Sequence, residues 1–248
     1  MGFYMLAVVP GAQKPAVRHV TFDGTEYPVR TITYKDVSVV AAEAPVKIYE
    51  PNRKNAKAHQ DTVAAVMKDC TVIPVSFGNV VESEADVKEF ASQLYGKFKQ
   101  IFPKIEGKME VGLKLTGKKE WMKEQAMKNP ALKKMQQQLN SRSRPSTYYE
   151  NLAAGEASKK FVTSFHEEFE KEVFQPLAKI ADAAKSNETI NERMLLNAAF
   201  LLDAEKEEAF DKEVNRIYEK WKDRIDFSYT GPWPAYNFID LKVKAGSP

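Results

Sequence analysis

The sequence predicts an α+β protein of two domains. Short runs of apolar and β-branched residues, such as Phe3–Val9 and Met109–Leu115, alternate with longer segments whose apolar residues recur at three- and four-residue steps. A hydrophobic share of 43% and a charged share of 29% are typical of a folded chain with a core. We expect a mixed α+β domain over residues 1–107. A ferredoxin-like domain follows over residues 108–248, with a basic helical insertion at about 117–147.

The chain is expected to begin with strands. Phe3–Val9 is rich in β-forming residues and stops at a proline and a glycine. The runs Val17–Phe22 and Val29–Thr33 flank the dipeptide Asp23-Gly24, which is a hairpin signal. The valine-rich run Asp36–Ala42 predicts one more strand.

A helix and an interrupted strand follow. Asn52–Asp69 places apolar residues and His59 at helical spacing. Thr71–Val81 is rich in β-forming residues but contains Pro74, which has no N–H to give to a sheet. We therefore expect this strand to lie at an edge or to be broken at the proline.

The second helix carries its own start and stop signals. Ser83 and Asp86 have the spacing of a capping box. The apolar stripe that follows consists of Val87, Phe90, Leu94, Phe98 and Ile101. Pro103 and Gly107 are expected to end the helix.

In the second domain, Met109–Leu115 alternates cleanly and predicts a half-buried strand with Glu110 on its exposed face. The segment Thr116–Arg144 carries eight Lys or Arg against two Glu, so we expect exposed helix there. Breaks are predicted at Pro130 and in a mobile loop at Ser141–Pro145.

The rest of the chain predicts helix, strand, helix and two strands. Asn151–Ala184 carries a row of core residues at four-residue steps: Phe161, Phe165, Phe169, Val173 and Leu177. Met194–Leu202 is apolar almost throughout, as expected of a central strand covered on both faces. Asp203 is expected to cap a helix with Phe210, Val214, Ile217 and Trp221 inward. Strands at Asp226–Tyr229 and Tyr236–Val243 would then be joined by a rigid turn, Gly231-Pro-Trp-Pro234.

Composition excludes several classes of function. A net charge of +3 predicts no general attraction to nucleic acid or to an anionic membrane. Cys70 is the only cysteine, which excludes an intramolecular disulfide and a cysteine-built metal site and is typical of a reducing compartment. No stretch approaches the roughly 20 apolar residues that cross a bilayer, and no secretion signal is visible. We expect a cytoplasmic protein.

The chemistry-bearing residues form no recognisable constellation. His19, His59 and His166 are scattered, without metal-ligand spacing, and no serine or cysteine stands in a nucleophile motif. Glycine-rich phosphate loops are absent as well. The sequence therefore predicts no cofactor, no metal and no enzymatic activity.

Three short motifs are spread along the chain. The first joins the helix of His59 to Thr71–Val80; the second is Gly107–Leu115; the third is Thr230–Phe238. In their order and spacing they resemble the GvpL/GvpF family of gas vesicle proteins and look nearest to GvpF, although the choice between F-type and L-type stays open. The candidate structural or partner-binding residues within these motifs are Pro74, Phe77, Gly78, Glu110, Gly231, Pro232, Trp233, Pro234, Tyr236 and Phe238.

This chain departs from the family pattern at three positions: Ser76 stands for arginine, Asn79 for threonine and Ala235 for proline. The resemblance implies that the chain is a minor component or assembly factor of gas vesicles that contacts the small hydrophobic shell protein. It implies other gas vesicle accessory proteins as further partners. Two alternatives stay open: an RNA-binding module with exposed aromatics on or beside the Met109–Leu115 strand, and a small-molecule enzyme with Glu110 or His166 as base in a deep pocket.

Overall fold

The computed structural model describes residues 1–11, 13, 15–140 and 148–241. The loop predicted at Ser141–Pro145 and the end of the last predicted strand, residues 242–243, lie outside this part of the chain. Two compact units are present. One is Met1–Glu110 together with the chain from Pro232 onward, and the other is Val111–Gly231. The sequence-based division at residue 107 assigned the C-terminal tail to the second domain, whereas here the tail groups with the first unit.

The first unit is built on a six-stranded sheet in the order β2-β3-β4-β1-β5, with β6 also paired to β1. The strands are β1 (Gly2–Pro10), β2 (His19–Phe22), β3 (Thr25–Tyr34), β4 (Val37–Ala44), β5 (Ile73–Pro74) and β6 (Val80–Val81). The predicted hairpin is confirmed, because Asp23 and Gly24 have φ angles of 51° and 78° between β2 and β3. Positive φ at both central residues matches the right-handed twist of the flanking strands.

Two helices pack on this sheet, α1 (Arg53–Met67) and α2 (Glu84–Ile105). The predicted capping box is confirmed: the Ser83 hydroxyl accepts the N–H of Asp86, whose carboxylate accepts the N–H of Ser83. The predicted stop at Pro103 is wrong. The last turn closes past the proline, with the Glu106 N–H donating to the Phe102 carbonyl at 3.0 Å. The chain leaves the helix at Gly107, where φ is 69°.

The strand predicted over Thr71–Val81 is both broken and at an edge, as Pro74 indicated. β5 and β6 each pair with β1, and a bend over residues 75–79 separates them. The Val75 N–H donates inward to the Leu6 carbonyl at 3.0 Å. Because successive N–H groups of a strand point to opposite sides, the donor that Pro74 lacks would face away from β1. The proline therefore costs the sheet no hydrogen bond.

The second unit contains most of a four-stranded sheet in the order β10-β7-β9-β8. The strands are β7 (Lys108–Gly117), β8 (Ala183–Ser186), β9 (Met194–Asp203) and β10 (Ile225–Trp233). The helices are α3 (Lys119–Lys128), α4 (Pro130–Asn140), α5 (Tyr148–Phe169), α6 (Gln175–Ala178) and α7 (Glu207–Trp221). With α3 to α6 between the first two strands, this is the β-α-β-β-α-β succession expected of a ferredoxin-like arrangement.

The predicted core of this unit is confirmed. β9 is an inner strand, and it is buried along nearly its whole length. Phe165, Phe169, Val173 and Leu177 of the predicted row are buried, as are all four inward residues predicted for α7. The row runs from α5 through a π-helical turn at Glu170–Phe174 into α6. The short edge strand β8 begins at Ala183, before the end of the segment predicted as one helix.

The C-terminal region differs from its prediction. β10 continues through Gly231, Pro232 and Trp233, where a turn was expected. Because β10 is an edge strand, it tolerates a proline, and Gly231 adopts a φ of 134° that favours glycine. A short 3-10 turn at Tyr236–Phe238 stands where a strand was predicted.

Candidate functional site

A cluster of aromatic side chains lies between β1 and α1 in the first unit. The ring of Tyr4, fully buried on β1, has its centroid 4.5 Å from that of Phe22 and 5.2 Å from that of Tyr49. His59 of α1 and Phe77 of the bend lie 5.7 and 5.9 Å from Tyr4. The histidine helix and the Val75–Gly78 bend of the first motif thus meet on one side chain of the first strand.

A chain of hydrogen bonds fixes the bend to this cluster. The Gly78 N–H donates to the Tyr4 hydroxyl oxygen at 2.9 Å. The Tyr4 hydroxyl lies 3.2 Å from His59 Nδ1, and His59 Nε2 lies 3.0 Å from the Val75 carbonyl oxygen. A carbonyl can only accept, so Nε2 carries the imidazole proton and the Tyr4 hydroxyl donates to Nδ1. Both ends of the bend are therefore bound to one Tyr–His pair.

Burial keeps this pair neutral. It lowers the pKa of His59 to about 4, against a smaller opposing effect of the hydrogen bond to Val75. Burial likewise raises the pKa of Tyr4 to about 12. An imidazole with both nitrogens engaged and so low a pKa is a poor proton acceptor for catalysis at neutral pH. The pair positions the bend.

Glu110, near the start of β7, is the second point where the motifs meet. Its side chain is only 5% exposed, so the expectation that it faces solvent is wrong. The carboxylate accepts the backbone N–H of Asn237 at 2.7 Å and the Asn237 side-chain amide at 2.6 Å. Glu110 is buried because the C-terminal tail, which begins at Pro232, returns to the N-terminal end of β7 and covers it. A buried carboxylate needs such partners, and charge-assisted bonds of this length are the stronger kind.

The tail itself packs into the first unit. Pro234 and Ala235 are buried, and Tyr236 is half-buried against the core that contains Tyr4. Among the residues that the structure describes, the buried Tyr236 hydroxyl has no hydrogen-bond partner. Its pKa is raised by burial first, and then by Tyr4 and Glu110. Consecutive residues of the third motif thus contact the groups that anchor the first and second motifs.

The structure brings only some of the predicted site residues together. Phe77, Gly78, Glu110 and Tyr236 converge as described, and Pro74 leads into the bend from β5. Gly231 and Pro232 are exposed in β10, whereas Trp233 and Phe238 are half-buried.

Sequence reasoning missed Tyr4 and Asn237. A hydroxyl in an otherwise apolar first strand was a signal, because a buried tyrosine O–H usually has a partner. Asn237 lies inside the third motif, and nothing in the sequence distinguished it from its neighbours.

The two alternative functions, RNA binding and small-molecule catalysis, each require particular residues at the surface or in a pocket. The RNA-binding alternative requires exposed aromatics on β7 or beside it. The exposed face of β7 presents Gly112, Lys114 and Thr116. On the neighbouring β10, Tyr229 is exposed, and its hydroxyl donates to Asp211 of α7. His166 lines a cavity of about 420 Å³ with Glu170, Ser186 and Asn197, but its Nε2 lies 3.0 Å from the Met194 carbonyl. Within the described residues, no group of three or more His, Cys, Asp or Glu could hold a metal ion.

Among the described residues, none of the helices has the length and apolar character needed to span a membrane.

Known proteins resemble this chain along almost its full length. It is 25% identical over 220 residues to Gas vesicle protein F1 of Halobacterium salinarum, covering 88% of this chain and 84% of the relative. Identity to Gas vesicle protein F of a Nostoc species is 23%, covering 97% and 98%. The fold is shared with the crystal structure of gas vesicle protein GvpF from an Anabaena species, with a TM-score of 0.77 at 22% identity, over 98% of this chain and 99% of that one.

The profile of the family described as "Gas vesicle synthesis protein GvpL/GvpF" matches residues 2–240. The motifs that suggested this family are the segments that the fold joins around Tyr4 and Glu110. The chain belongs to the GvpL/GvpF family of gas vesicle synthesis proteins.

Proposed function

We propose that this chain binds the main hydrophobic gas vesicle shell protein, during nucleation or at the shell, and limits its aggregation. Membership of the GvpL/GvpF family gives it a role in gas vesicle assembly. Direct binding of the shell protein, with no catalytic step, is the specific form of that role that we propose. Other gas vesicle accessory proteins are further candidate partners. A cytoplasmic location and the absence of nucleic-acid binding stay predictions.

The observation that carries the proposal is the rigid bend over residues 75–79. It is fixed by the Tyr4–His59 pair and by the Met5 N–H, which donates to the Asn79 carbonyl at 2.9 Å. Ser76, Gly78 and Asn79 are exposed in the bend, and the neighbouring Val80 and Val81 of β6 are half-buried. In the described part of the first unit, β5 and β6 are the outermost strands beside β1. A preorganised surface with apolar side chains is thus available at the edge of the sheet.

The physical argument concerns both partners. A shell that excludes water requires subunits with a large apolar face, and free subunits would associate through that face. A binder that covers the face keeps the subunits apart. Rigidity at the contact reduces the entropy lost on binding, so a modest area can suffice. Because Pro74 removes a backbone donor from the edge, we expect side-chain contact beside Phe77 and Val80 rather than extension of the sheet at the proline.

The buried polar groups support a binding role over a catalytic one. Both nitrogens of His59 are used in holding the bend, and the carboxylate of Glu110 holds Asn237. These two groups, which could otherwise transfer a proton, therefore have structural tasks.

Co-expression of the tagged full chain with the shell protein, followed by pull-down, tests the proposal. Wild type should capture the shell protein. Ser76→Glu places a charge on the bend without removing a hydrogen bond of the Tyr4–His59 pair. The arginine of the family pattern can keep its charge in water at the end of a long apolar stem, whereas the shorter glutamate holds its charge close to the bend. We expect the variant to lower capture by about tenfold, since an unpaired charge opposite an apolar face is costly. The matched control is Ser158→Glu, at a serine that is also exposed and lies on α5, and it should capture as wild type does. Failure of the wild type to capture the shell protein would refute the proposal, and equal capture by both variants would exclude the bend.

A further inference from the structure

The second unit carries opposite charge surpluses at its two ends. Residues 118–134, which form α3 and the start of α4, contain six lysines and two glutamates. Residues 203–213, which lead into α7 and form its first turns, contain six acidic residues and two lysines. We call these segments the basic end and the acidic end. The surpluses are equal in size and opposite in sign.

Contacts within the unit show that α7 separates these ends. The Lys118 ammonium donates to the Lys222 carbonyl, and the Trp121 ring lies 6.3 Å from that of Trp221. The basic end therefore packs at the C-terminal end of α7. The acidic end includes the N-terminus of the same helix. Fifteen residues of α-helix at 1.5 Å each place the two about 22 Å apart.

Each segment retains exposed charges that form no ion pair within the described residues. Lys119, Lys123, Lys133 and Lys134 are exposed and form no ion pair there. At the other end, Glu205 and Glu207 are likewise exposed and without an ion pair inside the described ranges. Neighbours such as Glu208 do pair locally, in this case with Lys212. The dipole of α7 places the equivalent of only about half a positive charge at its N-terminus, so it offsets a small part of the acidic surplus.

We infer that copies of this chain associate end to end, the basic end of one copy docking on the acidic end of the next. The partner is a second copy because the chain itself presents the complementary charge. Since two different surfaces meet, the contact is heterologous and extends into open chains unless its geometry closes a ring. This inference is independent of shell-protein binding and uses surfaces of the other unit.

The association should be weak and strongly salt-dependent. Exposed ion pairs contribute little individually, so several must act together, and they do so only where screening is slight. The Debye length is about 30 Å in 10 mM salt but only about 3 Å in 1 M salt. We therefore expect the association constant of the full chain to fall at least about tenfold between roughly 20 mM and 500 mM salt.

Sedimentation velocity of the full chain at both salt concentrations tests the inference, with two charge-reversal variants. One carries Lys119→Glu with Lys123→Glu, and the other carries Glu205→Lys with Glu207→Lys. Each variant has one end without net charge, because two reversals cancel a surplus of four, so each alone should stay monomeric in low salt. An equal mixture should associate again, as pairs, because one variant keeps its acidic end and the other keeps its basic end.

This restoration in the mixture excludes misfolding as the cause of the loss, and circular dichroism checks each variant separately. A control exchanges an ion pair on α1 of the first unit, Lys57→Glu with Asp61→Lys, and should associate as wild type does. Wild type that stays monomeric in low salt would overturn the inference. So would variants that self-associate as strongly as wild type, or folded variants whose mixture fails to associate.

Discussion

The contact between Glu110 and Asn237 offers a sharp test of how the tail is held. We consider Asn237→Ala, which removes the amide that lies 2.6 Å from the Glu110 carboxylate and leaves the backbone N–H bond at 2.7 Å in place. A hydrogen bond to a charged group contributes about 1.5–3 kcal/mol. Glu110 is only 5% exposed, so solvent compensates little for the loss. We expect the free energy of unfolding to fall by about 1.5–3 kcal/mol.

Urea unfolding followed by tryptophan fluorescence measures this change. The midpoint should fall while the slope stays constant, because the surface exposed on unfolding is unchanged. The matched control is Asn79→Ala, which removes an exposed amide bond to the neutral Ser76 carbonyl and should cost only about 0.5–1 kcal/mol.

A double-mutant cycle with Glu110→Gln isolates the pair. The two substitutions should be non-additive by at least about 1 kcal/mol, as expected for residues in direct contact. Additive effects, or a cost of Asn237→Ala no larger than that of the control, would refute the argument that this buried carboxylate anchors the tail.

Three further predictions follow from the first unit. Burial lowers the pKa of His59 to about 4 from an ordinary 6.5, so its contribution to stability is complete above pH 6.5 and is lost as the pH falls toward 4. Between pH 7.5 and pH 5 the free energy of unfolding of wild type should therefore fall by about 2 kcal/mol, and that of His59→Gln should not. Urea unfolding at each pH measures the difference. Tyr4→Phe should lower the free energy of unfolding by about 1–3 kcal/mol, because it leaves the Gly78 N–H and His59 Nδ1 without a partner. Tyr236→Phe should be neutral or stabilising in thermal melts, because its hydroxyl has no partner within the described residues. A larger loss for Tyr236→Phe than for Tyr4→Phe would contradict this assignment. Gly96→Ala, in an open position on α2, should raise stability by up to about 1 kcal/mol, whereas Gly2→Ala would bring a Cβ to 2.3 Å from the Val81 carbonyl and should destabilise in the same melts.

Local signals in the sequence were sufficient to predict most of the helices and strands. The capping box of Ser83, the hairpin at Asp23-Gly24 and the row through Phe165 and Phe169 depend on neighbours within a few residues. The strand broken at Pro74 also followed from a local cause, the missing N–H. These features required no knowledge of the tertiary structure.

Apart from the helix end predicted at Pro103, the errors involve contacts between distant parts of the chain. Alternation in β7 correctly separates two faces, but it cannot show that the tail, 127 residues further on, covers Glu110. The same return of the chain explains why the tail groups with the first unit. At Gly231 and Pro232 the composition suggested a turn, yet pairing at an edge allowed β10 to continue.

The part of the candidate site that the sequence singled out is its motifs, and their role in binding stays a prediction. The three motifs were identified from their order and spacing, and Phe77, Gly78, Glu110 and Tyr236 do converge. The sequence did not show how, because the link is Tyr4, a residue outside every motif and 55 positions before His59. Pairs this far apart leave no periodic pattern to recognise.

The most direct test of the central claim is the solubility of the shell protein in the presence of this chain. Shell protein is produced with increasing amounts of wild type or of Ser76→Glu, and the fraction that stays in the supernatant after centrifugation is measured. Wild type should keep shell protein in solution in proportion to its own amount, and the variant should do so poorly. The same pelleted fraction with and without wild type would contradict the account.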